Sequence, residues 1–131
     1  MDIAELYFRP KKWEGNGKKY ELLGVLIFKN FIIKLGRKTG QKSNKPNNYY
    51  LWDKSIEGIK LFERKTRYNE LMHAVGIILP MVGLAMYHND LFTKVILWLV
   101  LIVNIHPFLL QRYNRIRIYK LLRNKGMKTG P

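Results

Sequence analysis

The chain has 131 residues, enough for one domain, with 24 Lys and Arg against 9 Asp and Glu and a formal net charge of +15. It has no cysteine, which excludes disulfide frameworks and cysteine-based zinc sites. The charge calls for an anionic partner such as nucleic acid, an anionic lipid surface or a phosphorylated substrate. Yet 47% of residues are hydrophobic, and within residues 71–110 only Asp90 and Lys94 carry a formal charge.

Residues 1–19 are polar and broken by Pro10, Gly15 and Gly17, so they read as extended or loop. They lack the apolar core of a secretory signal, and any insertion signal is expected to be internal. Residues 20–36, "YELLGVLIFKNFIIKLG", are apolar but interrupted by Lys29, Asn30 and Lys34. That makes a poor membrane span and a better interfacial amphipathic helix, its lysine stems reaching towards headgroups. A buried helix or hairpin of a soluble core is the competing reading. Residues 36–50 are rich in Gly, Lys, Asn and Pro and read as a flexible loop, running into "YYLW" at 49–52, aromatics suited to a membrane interface. Residues 1–53 are thus expected to form a cytoplasmic and interfacial region.

Over residues 54–70 the pattern turns helical and polar, with Ile56, Ile59 and Phe62 on one stripe and Glu63 four residues before Arg67. This amphipathic helix leads to two apolar stretches, residues 71–87 and 91–110, joined by "HND". At about 1.5 Å per residue each reaches about 25–30 Å, close to the hydrocarbon thickness of a bilayer. Pro80 falls inside the first, which is tolerated in membrane helices. The short connector forces an antiparallel hairpin, after which residues 111–131 form a basic tail. Of the 24 basic residues, 23 lie outside residues 71–110; residues 54–70 hold five and residues 111–128 hold seven. The positive-inside rule therefore predicts a multi-pass protein of the cell membrane with both termini cytoplasmic. The expected fold is an all-α membrane protein. It forms a single membrane domain over residues 1–131, a two-helix transmembrane hairpin with an interfacial amphipathic helix and basic cytoplasmic flanks.

Polar groups at membrane depth are costly and mark candidate sites. Glu70 and His73 share a helix face, with Thr66 and Arg67 a turn below. Asn104, Pro107, Gln111 and Asn114 or Arg115 define a face on the second stretch. In an antiparallel hairpin with helices about 8–10 Å apart, Glu70, His73, Asn104, Gln111, Arg112 and Arg115 converge at one depth. The set suits transfer to a hydroxyl. His73 can act as base and Glu70 can orient it, Asn104 and Gln111 can donate to an oxyanion, and Arg112 with Arg115 can clamp a phosphate. Each residue has a plainer reading: Glu70 as an interfacial partner of Arg67, His73 as a packing residue, the arginines as a topogenic stop. His106 can serve to adjust the turn before Pro107, and His88 can simply be solvated. A metal would need Glu70, His73 and His106 on one ion, and no metal is expected. Two spans of lipid-compatible length leave nucleic acid out as a partner.

The residues "TRYNELMH" and "NIHPFLLQRYNRIR" resemble a known family, the glycosyl-4,4'-diaponeurosporenoate acyltransferases of staphyloxanthin-type carotenoid pathways. The resemblance lies in Thr66, Arg67, Glu70 and His73 at the opening of one segment. At the close of the other it lies in Asn104, Pro107, Gln111, Arg112, Tyr113, Asn114, Arg115 and Arg117. Trp13, Glu14, Gly17, Tyr20 and Glu21 are similar to the family's N-terminal region. Family members generally carry a further hydrophobic segment ahead of the region with which this chain opens, and the stretch after "IIKLG" is unusually rich in Lys and Asn. The resemblance implies transfer of a fatty acyl group to a sugar hydroxyl of a glycosylated carotenoid at the cytoplasmic membrane.

The first functional expectation is therefore an acyltransferase acting on a hydroxyl of a lipid or glycosylated carotenoid. His73 and Glu70 are catalytic, and Asn104, Gln111, Arg112, Asn114 and Arg115 bind substrate. No bound cofactor is expected, and an acyl thioester is the co-substrate. The partners are membrane lipids and a lipid or glycolipid acceptor, with a homo-oligomer left open. The alternative is a non-catalytic membrane adaptor that binds anionic lipid or a partner enzyme through its basic flanks.

Overall fold

The computed structural model describes residues 3–38, 51, 53–86 and 90–127. Every regular element among them is helical: α1 (Ile3–Phe8), a 3-10 turn (Lys12–Glu14), α2 (Lys18–Leu22), α3 (Val25–Lys38), α4 (Ile56–Met86) and α5 (Leu91–Asn124). Residues 1–19, read above as loop, thus hold two short helical pieces and the start of a third. Residues 20–36 are helical, but Gly24 at φ +78° breaks them into α2 and α3. His88 and Asn89 of the "HND" connector, Trp52 and most of the expected flexible loop lie outside the described residues.

The approach helix and the first apolar stretch are one uninterrupted helix, α4, of 31 residues; the second stretch and the basic segment after it are likewise one helix, α5, of 34. Their ends are fixed by side chains and by glycine. The Ser55 hydroxyl accepts the Gly58 amide at 3.0 Å, capping the start of α4. Asp90, in an extended conformation, accepts the Thr93 amide at 2.8 Å and caps α5. At the other end of α5 the amides of Gly126 and Met127 donate back to the carbonyls of Arg123 and Leu122. Gly126 supplies the positive φ of 74° that this closure requires.

The two long helices pack in opposite senses. Gly83 faces Leu97, Gly76 faces Asn104, Glu70 meets Arg115, and Ile59 clusters with Ile118. Both are long and apolar enough to cross a membrane, and the apolar windows that qualify are only 11% and 17% buried. A core helix of a soluble protein would hide that surface; here Leu79, Trp98 and Val103 stand exposed.

The core sits instead at the basic end of the pair. Tyr20 and Val25, from α2 and α3, pack on Leu110, Tyr113 and Ile116 of α5, with Phe28 alongside. Ile59 and Phe62 of α4 pack on Ile118 and Leu122. As a result residues 110–116 of α5 are buried without a gap. The structure places the stretch "QRYNR", expected at the head of a basic tail, inside the protein.

Candidate functional site

Two polar centres lie along the α4–α5 seam. The first is a cluster of buried charge. Residues 9–17 fold back so that Glu14, only 1% exposed, reaches α5. Gly17 makes this approach feasible: its φ is +87°, and a Cβ there would lie 3.1 Å from the Tyr113 ring. Arg112 grips Glu14 fork to fork, Nε donating to Oε1 and Nη2 to Oε2, both at 2.9 Å. The Tyr20 hydroxyl donates to the same Oε1 at 2.5 Å, and the Lys11 amide donates to Oε2. Burial, and after it the bond to Glu14, push the Tyr20 phenol up to about 12.

Glu70, fully buried, binds the second arginine: Arg115 Nη1 lies 2.5 Å from its Oε2, and Arg112 Nη1 lies 3.5 Å from its Oε1. The arginines also donate to backbone carbonyls of the N-terminal segment, Arg112 to Tyr7 and Arg115 to Phe8, each at 3.2 Å. Two guanidinium groups lie over the Phe8 ring, Arg115 at 4.8 Å and Arg67 at 5.3 Å from its centroid. Arg67 in turn pairs with Glu63 at 2.6 Å. Two carboxylates thus neutralise two arginines inside the protein, the condition under which buried charge is tolerated.

The second centre lies one turn further into the apolar part of the seam. His73 Nδ1 is 2.9 Å from Asn104 Oδ1, and Asn104 Nδ2 donates to the Val100 carbonyl at 2.8 Å. The helix carbonyl decides the orientation of the amide, since only Nδ2 can donate to it. Oδ1 therefore faces the imidazole as an acceptor, and Nδ1 must carry the proton. In the neutral ring this places the lone pair on Nε2, the atom that a general base would use. Gly76 keeps the helices close at this level, where an added Cβ would fall 2.5 Å from Asn104 Oδ1.

Of the residues singled out from sequence, the structure brings together Glu70, Arg112 and Arg115 in the first centre and His73 with Asn104 in the second. It does not pair His73 with Glu70. The expected orienting carboxylate is engaged by arginines, and a neutral amide takes its place. The expected anion clamp, Arg112 and Arg115, is bound to internal carboxylates. Gln111 is fully buried, and neither end of its amide has a hydrogen-bond partner among the described residues. Asn114, also buried, lines a cleft together with Lys29 and Arg117. His106 lies beside Phe28, ring centroids 5.7 Å apart. Sequence alone assigns Glu14 and Tyr20 no role. The available signal was arithmetic: arginines in a helix that must bury them need carboxylates, and the chain has few.

A family model described as glycosyl-4,4'-diaponeurosporenoate acyltransferase (CrtO) matches residues 4–124, which include every member of both centres. The chain belongs to that acyltransferase family. No curated protein and no solved structure matches it. The His73–Asn104 hydrogen bond fixes one imidazole tautomer, and the Glu14–Arg112–Glu70–Arg115 cluster is a brace that holds the N-terminal segment, α4 and α5 together beside it.

Proposed function

We propose that this protein is a membrane acyltransferase that moves a fatty acyl group onto a hydroxyl of a lipid or glycosylated carotenoid. The His73–Asn104 pair carries the reading, because it leaves a basic ring nitrogen at the polar edge of an otherwise apolar helix pair. The donor is an acyl thioester. The acceptor hydroxyl oxygen attacks its carbonyl carbon while His73 Nε2 takes the hydroxyl proton. The new C–O bond forms, the C–S bond breaks, and His73 returns the proton to the departing thiolate.

Asn104 acts by orienting the base, since its own Nδ2 is already bonded to Val100. Gln111, whose amide lacks a partner among the described residues, is the donor proposed for the carbonyl oxygen as it gains charge. Glu70 acts through the arginines it binds and not through His73. The hairpin crosses the cell membrane with both termini in the cytoplasm, so the basic end of the seam, where both centres lie, faces the cytoplasmic leaflet. Lipid profiling of a deletion strain tests the reaction: the strain lacks one acylated lipid and accumulates its hydroxyl precursor. An unchanged acyl-lipid profile contradicts the reading and favours the adaptor.

A further inference from the structure

Arg112 and Arg115 are committed to Glu14 and Glu70, so cations available to a ligand must lie elsewhere on the molecule. One such set surrounds a cleft of about 420 Å³ at the basic end of the helix pair, between α3, α4 and α5. Lys29 enters it from α3, Lys54 from the residues before α4, and Arg117 and Lys125 from α5 and its end. No carboxylate lines it. Among the described residues none of the four cations makes an ion pair.

Two carboxylates close to these cations in sequence or contact are otherwise engaged. Asp53 accepts the Ser55 amide and hydroxyl, and Glu21 accepts the Tyr113 hydroxyl at 2.7 Å. Arg117 lies over the Tyr113 ring at 5.8 Å, which fixes its direction without neutralising it. Four like charges gathered around a concave surface repel one another and attract an anion. Burial, and then the neighbouring Arg117, push the Lys29 ammonium below the ordinary lysine range. The cleft is also half apolar, with Phe62 and Ile118 in its floor.

We propose that this cleft binds a phosphate ester carried on an apolar stem, the four cations holding the phosphate and the Phe62–Ile118 floor taking the stem. Naming that ligand as the acyl donor rests on the acyl-transfer reading, whereas the binding site itself does not. Two sources share this chemistry: a soluble long-chain acyl thioester with phosphate groups, and an anionic phospholipid of the surrounding bilayer.

The test uses the full chain in phosphatidylcholine nanodiscs and native mass spectrometry to count bound probe. One arm adds palmitoyl-coenzyme A to the solution, and the other includes phosphatidylglycerol in the disc. The wild type retains at least one probe, and which one it retains identifies the source. Arg117→Gln and Lys29→Gln each weaken that binding by about ten-fold or more. Arg117→Lys keeps most of it, and Lys12→Gln, outside the cleft, changes nothing. Circular dichroism confirms that each variant is helical before it is scored. Equal retention by the wild type and by both glutamine variants overturns the proposal, as does retention of neither probe by the wild type. An inactive protein that still binds the probe counts for the cleft and against the reaction.

Discussion

Glu14 and Arg112 lie 98 positions apart in the chain and meet in a buried, two-pronged ion pair. A carboxylate in an irregular turn is thereby tied to the middle of the last helix, and through Arg112 to Glu70 on α4. Removing Arg112 leaves Glu14 charged and buried without its cation, while Glu70 keeps Arg115.

Arg112→Met is therefore expected to destabilise the protein by about 3–5 kcal/mol, measured by denaturant unfolding in detergent micelles. Glu14→Met combined with Arg112→Met restores a large part of that loss, because the uncompensated carboxylate is gone. If single and double variants are equally unstable, the pair is not the brace described here.

His73→Ala is expected to lower acyl transfer in proteoliposomes by about 100-fold or more, the range of a lost general base. Asn104→Leu, which removes the acceptor that fixes the imidazole tautomer, lowers turnover with little change in donor KM. Asn104→Asp keeps an acceptor and retains more activity than Asn104→Leu. Full turnover by His73→Ala would remove the mechanism.

The two seam glycines should differ. A Cβ at Gly76 would meet Asn104 Oδ1 at 2.5 Å, and relief requires moving the amide off His73. A Cβ at Gly83 would meet the Leu97 Cδ1 at 3.0 Å, and a leucine tip can rotate away. Gly76→Ala is expected to cost about 1–3 kcal/mol of stability along with activity. Gly83→Ala leaves the rate nearly unchanged. Parallel melting and rate measurements on the two variants check this.

The Tyr20 phenol is raised from 10.0 in the unfolded chain to about 12 in the folded one. Its contribution to stability is full below pH 10 and is lost as pH rises through about 12, because the unfolded state releases the proton first. The difference in melting temperature between the wild type and Tyr20→Phe is constant below pH 10 and narrows between 10 and 12. A difference that stays flat to pH 12 contradicts the burial of this hydroxyl.

The helical class and the two apolar helices were legible in the sequence for a simple reason. A lipid-compatible helix must be apolar over most of its surface, whatever it packs against, so Leu79 and Val103 announce it without any contact being known. The level at which Glu70, His73, Asn104 and Arg112 come together was legible too, since periodicity and a short connector fix the register of two antiparallel helices. Their partnerships were not. Whether His73 bonds Glu70 or Asn104 depends on what else Glu70 meets, and Arg115 is held at that level by the fold, not by local sequence.

The N-terminal pieces were hidden for a related reason. A helix as short as Ile3–Phe8 is unstable alone and forms by docking, so Pro10 and the glycines around Glu14 outweigh it in a local reading. The four-cation cleft is assembled from α3, α4 and α5, and no stretch of sequence contains it.

The Glu14–Arg112 tie also orders the birth of the molecule. During synthesis the N-terminal residues emerge long before α5, and Glu14 must wait with its charge in water while the chain lengthens. The long helices can settle against each other first, still open on one side. Only when Arg112 has been made can the segment around Glu14 close over them, so residues made well before α5 are among the last to find their place.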